Sequence, residues 1–79
     1  MRKSVRSSAQ KALCTLLREA RNKAGLTQQA LAKRLAKPQS FIAKYEKGER
    51  RLDVVEFVTV ARAIGANPAR LLKVLLGRM

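Results

Sequence analysis

The residues in this sequence best suited to chemistry are polar or small side chains in one short stretch, residues 39–47. They are Gln39, Ser40, Ala43, Lys44 and Lys47, and a helix would place them on one outward face. A glutamine amide can pair with adenine N6 and N7, a lysine can reach guanine O6 and N7, and serine can serve either base. Because this face carries no acid, it favours an interaction with base edges in a DNA groove.

Two short helices around a tight turn must position this face, and residues 28–47 predict both of them. Leu31 and Leu35 place apolar side chains one turn apart on the first helix. Ile42 and Tyr45, three residues apart, supply the buried stripe of the second helix. Two helices of this length joined by a tight turn are typical of a helix-turn-helix unit, whose second helix lies in the major groove.

The charge of the chain supports a polyanionic partner. Eighteen Lys and Arg residues face five Asp and Glu residues, which gives a net charge of +13 over 79 residues. This imbalance alone does not separate DNA, RNA and acidic lipid. The length predicts one domain, and a single cysteine, Cys14, cannot form an intrachain disulfide. We therefore expect a protein of the reducing cytoplasm. No apolar run approaches the length of a membrane span, so no membrane association is expected.

The rest of the chain predicts three more helices and a short arm. Residues 1–8 are basic without an apolar period and predict a flexible arm, which leaves residues 9–79 as the domain. Ser8 is the expected cap of a first helix that ends at Gly25. A second helix, about 28–35, follows Thr27 as its cap, and a third, about 39–47, follows Pro38.

Two further helices complete the predicted all-α architecture. Asp53 with Glu56 three residues later forms a capping-box pattern that opens a fourth helix, which ends at Gly65. Asn67 and Pro68 open a fifth helix. Its apolar side is expected to carry four leucines, Leu71, Leu72, Leu75 and Leu76. The sequence shows no strand pattern and no internal repeat.

Several function classes are disfavoured by what the sequence contains. It has no histidine, one cysteine and five acids mostly suited to caps and pairing, which leaves no credible acid–base pair for an enzyme. The same composition offers no plausible metal site, and no cofactor is expected. A membrane-surface peptide is disfavoured because five capped helices favour a globule over one amphipathic helix.

The sequence resembles the Cro/C1-type helix-turn-helix family, also called xenobiotic-response-element-like, from about Leu13 to Leu76. The resemblance lies in A-G-L-T-Q at 24–28, A-L-A-K-R-L at 30–35, I-A-K-Y-E-K-G at 42–48 and the segment D-V-V-E-F-V-T-V-A-R-A-I-G. It implies a five-helix lambda-repressor-like domain, with the helix-turn-helix at helices 2 and 3, that binds operator DNA, usually as a dimer. Two positions depart from the family pattern. Ala36 stands where the turn usually has glycine, and Lys37-Pro38 precedes the third helix where a Ser or Thr cap is usual.

The resemblance and the helix positions together predict the roles of individual residues. We expect base contacts from the N-terminal and outward part of the third helix: Gln39, Ser40, Ala43 and Lys44. We expect phosphate contacts from the start of the second helix and from the two ends of the third: Gln28, Gln29, Lys37, Lys47, Arg50 and Arg51. For Ser40 and Lys44 the alternative is a phosphate contact only. For the basic residues it is a solvated surface, and Arg50 or Arg51 could also enter a narrow minor groove.

Arg21 and Glu46 are expected to form a structural pair. Glu46 is an acid within a surface that should repel acids, so a cation should hold it. In related domains the matching arginine of the first helix pairs with the matching glutamate, which ties the first helix to the reading helix. We expect a partly buried pair that orients the third helix without touching DNA. Cys14 is expected to be a small core residue.

The fifth helix predicts self-association. Its apolar residues wrap wider than the inward stripe of about 100° that a helix needs, so some should remain for a partner. Leu71, Val74 and Leu75 are the expected interface of a homodimer. The competing interpretation is a monomer in which the fifth helix only completes the core.

The function predicted from these features is sequence-specific binding of double-stranded DNA by a transcriptional regulator, with repression expected. A bacterial or phage-type protein associated with the nucleoid fits this interpretation. The alternative is an antitoxin-type autorepressor that also binds a toxin protein. A third possibility, non-specific coating of DNA or RNA through charge, is disfavoured by the polar reading face.

Overall fold

Five α-helices joined by short connections make up the computed structural model, which describes residues 7–79. They are α1 (Ser8–Lys23), α2 (Gln28–Leu35), α3 (Gln39–Glu46), α4 (Val54–Ile64) and α5 (Pro68–Arg78). Over the described residues there is no strand, and the predicted five-helix all-α class is confirmed. None of these helices is long and apolar enough to cross a membrane.

Side-chain caps set where four of the helices begin. The Ser7 hydroxyl accepts a hydrogen bond from the backbone N–H of Gln10 at 3.2 Å, so α1 begins at Ser8. Two adjacent serines could both cap this helix, and Ser7 takes the role that the sequence suggested for Ser8. Most of the predicted arm, residues 1–6, lies outside the described residues, so the arm stays a prediction.

The second and fourth helices begin with the expected caps. The Thr27 hydroxyl accepts from Ala30 N at 3.0 Å at the start of α2. In the capping box of α4, a carboxylate oxygen of Asp53 accepts from Glu56 N at 2.7 Å, and Glu56 Oε1 accepts from Asp53 N at 2.9 Å. The Asn67 side chain caps α5 in the same manner. Each cap satisfies backbone N–H groups that the helix itself cannot pair.

The turn between α2 and α3 keeps a left-handed residue without glycine. Ala36 has φ 54° and ψ 41°, and it is the only non-glycine residue with positive φ among residues 7–79. The Lys37 N–H donates to Ala32 O at 2.9 Å and so closes the end of α2. Pro38 then provides an extended start to α3 without a side-chain cap. The turn therefore adopts the left-handed geometry at a cost of about 1 kcal/mol.

The core lies between α2, α3 and α4, with α1 across it. The largest fully buried side chains are Leu17, Leu31, Ile42, Tyr45 and Val60. The helix α5 has no fully buried residue and packs at the edge of this core.

The rotation of α5 differs from the expected one. Leu71 packs against the core and Leu75 is half-buried, but Leu72 and Leu76 are 47% and 64% exposed. A helix docked at the edge of a core buries only one narrow stripe, and Leu71 with Leu75 occupies it. The sequence placed all four leucines on the apolar side and left Leu71, Val74 and Leu75 for a partner. The structure instead turns Leu71 toward the core and leaves Leu72 and Leu76 exposed.

Candidate nucleic-acid interface

The outer face of α3 presents the predicted base-contacting residues together. Gln39, Ser40 and Lys44 are exposed and Ala43 is half-buried, while Ile42, Tyr45 and Glu46 face the interior. Lys47, which caps the C-terminal end of the helix, is also exposed. This face contains hydrogen-bonding groups and positive charge, which are the groups that base edges and phosphates accept.

A buried ion pair holds α3 from below. Arg21 Nε donates to Glu46 Oε2 at 2.7 Å and Arg21 Nη2 donates to Glu46 Oε1 at 3.0 Å. Arg21 Nη1 also donates to the main-chain oxygen of Leu26 at 2.9 Å, in the connection before α2. The hydrogen bond to Glu46 raises the pKa of Arg21 further above its ordinary value. The structure thus joins the pair expected from the resemblance and adds a contact to the α1–α2 connection.

The buried pair continues outward through two glutamines. Gln28 Nε2 donates to Glu46 Oε1 at 3.0 Å, and Gln39 Nε2 donates to Gln28 Oε1 at 3.2 Å. A carboxylate only accepts hydrogen bonds, so Glu46 dictates which end of each amide points toward the next residue. The Gln39 oxygen and its second N–H remain outside this chain. Those are the two groups with which a glutamine recognises adenine.

The hydrogen bonds that join Gln28 to Glu46 and Gln39 limit how Gln28 can contact a phosphate. Both polar ends of its side chain are engaged within the protein, which the sequence did not predict. The first N–H groups of a helix have no acceptor within the helix, and the Thr27 hydroxyl accepts from Ala30 alone. The backbone N–H groups of Gln28 and Gln29 are therefore left without an acceptor among residues 7–79. Unpaired N–H groups at a helix N-terminus are suited to a phosphate oxygen. The contact expected of Gln28 would therefore come from its main chain.

The remaining cations expected at phosphates fall into two groups. Lys37, Lys47 and Arg51 are exposed, and within the described part of the chain none of them forms an ion pair. Gln29 and Lys37 line an open groove between the starts of α2 and α3. Arg50 differs, because its Nη2 donates to Glu56 Oε2 at 2.8 Å and its Nη1 to Glu56 Oε1 at 3.2 Å.

Phe41 joins these cations to the interior. It is half-buried and packs edge-on against Tyr45, with ring centroids 5.7 Å apart. The Arg50 guanidinium lies 4.6 Å from the Phe41 ring centroid, and Lys37 Nζ lies 5.4 Å from it. These are cation–π distances. No local pattern in the sequence indicates that cations before and after α3 meet on this ring.

The Cys14 thiol is unsuited to chemistry, as expected of a small core residue. It is 6% exposed, and burial raises the pKa of the thiol above the ordinary value, which keeps it protonated and unreactive. No group of three metal-binding side chains occurs among residues 7–79.

An exposed apolar surface lies away from α3. Val54 and Leu72 are 77% and 47% exposed, and Leu76 and Met79, at 64% and 68%, follow Leu72 at helical spacing along α5. A groove of about 200 Å³ between α1, α4 and α5 is lined by Leu13, Leu52, Asp53, Val54, Phe57, Leu72 and Leu75. We call these residues together the apolar patch. Of the residues expected at a dimer interface, Leu75 belongs to the patch, Leu71 packs against the core, and Val74 is 44% exposed on another side of α5.

Comparison with known proteins agrees with this architecture. A family model described as helix-turn-helix matches residues 17–71. An XRE-family like protein from Pseudomonas syringae pv. tomato is 52% identical, with a TM-score of 0.83 over 87% of this chain and 84% of that chain. A mutant of a restriction-modification controller protein is 18% identical, with a TM-score of 0.82 over 90% of each chain. No curated protein sequence matched.

The residues matched by the family model run from Leu17 in α1 to Leu71 in α5 and include α2, α3 and α4 in full. The structural likeness to the Pseudomonas protein comes with half of the aligned residues identical. The lambda-repressor-like arrangement predicted from the sequence is thereby confirmed, and the chain belongs to the Cro/C1-type helix-turn-helix family of DNA-binding transcriptional regulators.

Proposed function

We propose that this protein is a sequence-specific regulator of transcription that reads the major groove of double-stranded DNA with α3 and acts as a repressor. The observation that carries the proposal is the hydrogen-bond chain from the buried Arg21–Glu46 pair through Gln28 to Gln39. A base-reading amide needs a fixed orientation, because pairing with adenine requires one donor and one acceptor at defined places. A protein that binds DNA only through charge has no use for such a constraint.

The base contacts would come from the first two turns of α3. Gln39 would pair with an adenine, Lys44 would reach guanine O6 and N7, and Ser40 would serve either base. Ala43 would pack against a thymine methyl group. This assignment is supported by the exposure of Gln39, Ser40 and Lys44 on one helix face.

The phosphate contacts would surround that face. We assign them to the main-chain N–H groups at Gln28 and Gln29 and to the side chains of Lys37, Lys47 and Arg51. These cations carry no ion pair within residues 7–79, so a phosphate does not have to displace an existing partner. Each phosphate contact adds a sequence-independent contribution to affinity that falls with salt.

The protein would act as a homodimer that pairs through the apolar patch. In a chain of net charge +13, two copies repel each other over most of their surfaces. Among residues 7–79, Asp53 is the only charged residue that lines the groove of the patch, so this surface allows close approach. A two-fold contact there would bury Val54 and Leu72 of both copies. It would also place the two α3 helices on successive major grooves, roughly 34 Å apart.

Selection of bound sequences from a random duplex pool tests the reading function. The expected result is a near-palindromic site whose half-sites lie one helical turn apart. Recovery of sequences without any shared motif would contradict it and would favour coating through charge. Repression is tested by placing the selected site in a promoter and measuring transcription with and without the protein.

Sedimentation of the protein with the selected duplex tests the dimer. Two copies per duplex are expected for the wild type, and Leu72→Glu should abolish that stoichiometry because it places a charge in the patch. Val74→Glu is the matched control, since it makes the same type of change on another side of α5. If only Val74→Glu disrupts pairing, the interface first expected from the sequence is right and the patch is not the contact.

A further inference from the structure

One arginine in the connection between α3 and α4, Arg50, contacts three different parts of the chain. Besides its two bonds to Glu56, Arg50 donates from Nη1 to the main-chain oxygen of Arg51 at 2.9 Å. Its guanidinium carbon lies over the Phe41 ring, 4.6 Å from the ring centroid. Arg50 thus joins α3, through Phe41, to the first turn of α4, through Glu56, and holds the main chain between them.

The partner of Arg50 is itself fixed at the start of α4. Glu56 Oε1 accepts from the backbone N–H of Asp53 in the capping box while both oxygens accept from Arg50. These contacts, the bond from Arg50 above all, lower the pKa of Glu56 to about 2. The carboxylate is therefore charged at neutral pH and compensates the charge of Arg50.

A phosphate would gain little from Arg50 in this arrangement. Two parallel N–H···O bonds to a carboxylate already use the fork that arginine offers to an anion. A phosphate brought to the same guanidinium would also approach the Glu56 carboxylate, and like charges repel. The neighbouring Arg51 is exposed, and its side chain makes no hydrogen bond within residues 7–79.

We propose that Arg50 is a positioning residue rather than a phosphate contact, and that with Glu56 and Phe41 it directs Arg51 to the DNA backbone. This inference rests on the proposed DNA-binding function. By holding the carbonyl oxygen of Arg51, Arg50 fixes the peptide from which the Arg51 side chain projects. Arg51 then meets the phosphate beside the C-terminal end of α3.

The sign of one charge change separates this role from a direct contact. Glu56→Gln removes a negative charge and weakens the hold on Arg50. If Arg50 contacts phosphate, that change frees the cation and DNA binding becomes tighter. If Arg50 is a positioning residue, the connection loosens and binding becomes weaker despite the more positive charge.

The chain provides a matched control at Glu49. This acid is exposed on the same connection, and within residues 7–79 it forms no ion pair. Glu49→Gln therefore makes the same change in net charge without touching Arg50. By removing one like-charge repulsion with phosphate, it should tighten binding by about twofold.

Affinity for a labelled duplex of mixed sequence, measured by fluorescence anisotropy over a series of salt concentrations, provides the readout. Under the proposal, Glu56→Gln binds roughly threefold to tenfold more weakly than the wild type, because Arg51 no longer reaches its phosphate. Arg50→Lys keeps the charge but cannot form the two-pronged contact, so it should weaken binding in the same way. Thermal unfolding of each variant verifies that it is folded at the assay temperature.

A second measurement distinguishes positioning from a general loss of structure. In the wild type, Arg51→Ala should reduce the slope of log affinity against log salt by about one unit. In the Glu56→Gln background the same substitution should leave the slope unchanged, because Arg51 is already away from its phosphate. A variant that is merely less stable would still show the full change in slope once folded.

The outcomes are distinct for the inference and for the proposed function. If Glu56→Gln binds as tightly as the wild type, or if Arg50→Lys retains wild-type affinity and slope, the positioning role is overturned. Tighter binding of Glu56→Gln would overturn it too and would show that Arg50 contacts phosphate. Failure of the wild-type protein to bind any duplex would instead overturn the DNA-binding function itself.

Discussion

Two arginine–glutamate pairs flank the reading helix, and they share a chemistry but differ in their surroundings. Arg21–Glu46 lies beneath α3 with side chains 10% and 4% exposed, whereas Arg50–Glu56 lies beside it at 39% and 29%. Both are bidentate. Water can replace a missing partner at the exposed pair but not at the buried one. We therefore expect the buried pair to matter more for the stability of the fold, and we assign to the exposed pair the orientation of the α3–α4 connection.

The two pairs also extend toward different parts of the proposed interface. The buried pair leads through Gln28 to the amide of Gln39, which is suited to a base. The exposed pair leads to the main chain at Arg51, whose side chain is suited to a phosphate. Specificity and charge-dependent affinity should consequently respond to different substitutions, which makes the comparison open to experiment.

Glu46→Ala should show the largest effect and tests the buried pair. It leaves the Arg21 guanidinium buried without its partner, and removal of one member of a buried pair costs about 3–5 kcal/mol in the free energy of unfolding. Thermal denaturation followed by circular dichroism measures it, with Glu49→Ala as the exposed control. A wild-type melting temperature for Glu46→Ala would erase the difference between the two pairs.

Gln39→Ala tests the outer end of the hydrogen-bond chain that begins at the buried Arg21–Glu46 pair. The free-energy difference between specific and non-specific binding should decrease by ~1–3 kcal/mol, because one base contact disappears. The melting temperature should hardly change, since Gln39 is exposed. Binding-site selection with the variant should show a relaxed preference at one position of each half-site. An unaltered preference would remove Gln39 from the reading set.

Arg51→Ala tests the residue whose main chain is held by the exposed Arg50–Glu56 pair. Affinity should fall alike for all duplexes, and the salt slope should decrease by about one unit because one phosphate is no longer neutralised. Titrations at several salt concentrations with the selected site and with a scrambled duplex provide both quantities. Relaxation at one base position with an unchanged slope would make Arg51 a base reader and blur the contrast with Gln39.

Acid titration should reveal the smallest effect, at Glu56. Its pKa falls from 4.5 to about 2 on folding, so the folded state binds this proton less readily than the unfolded state. The stabilisation is complete above pH 4.5 and disappears as the pH falls toward 2. Melting temperatures of the wild type and Glu56→Gln should therefore converge over this range. A constant difference would show that ionisation of Glu56 contributes nothing to stability.

Local patterns predicted the helices well because caps and periodicity act over a few residues. Thr27, Asp53 and Asn67 cap the helices that the sequence indicated. The left-handed geometry at Ala36 followed the family pattern even though the residue departs from it. Where two solutions were locally equivalent, the sequence did not decide, as with Ser7 and Ser8 at the start of α1.

Contacts across the fold were less predictable. The pairing of Arg21 with Glu46 came from resemblance, since the two residues lie 25 positions apart. Nothing in the sequence indicated that the Gln28 side chain would be held by Glu46, or that Glu56 would serve both the capping box and Arg50. The rotation of α5 was equally open, because its closely spaced apolar residues fit several rotations. Packing against α1 and α4 selects one of them.

The left-handed alanine between α2 and α3 has a consequence for sequence change in this protein. Glycine at position 36 would relieve the strain in the folded turn while giving the unfolded chain more freedom, and these two effects oppose each other. Compared with glycine, Ala36 reduces the number of backbone conformations open to the unfolded chain. This smaller loss of entropy on folding partly offsets the strain of the left-handed alanine. A β-branched residue at this position would strain the folded turn more than alanine does, and it would restrict the unfolded chain only slightly more. A mutational survey of the turn should accordingly find Gly, Asn and Ala interchangeable and Val or Ile excluded, so that natural variation can pass through this position by only a few residue types.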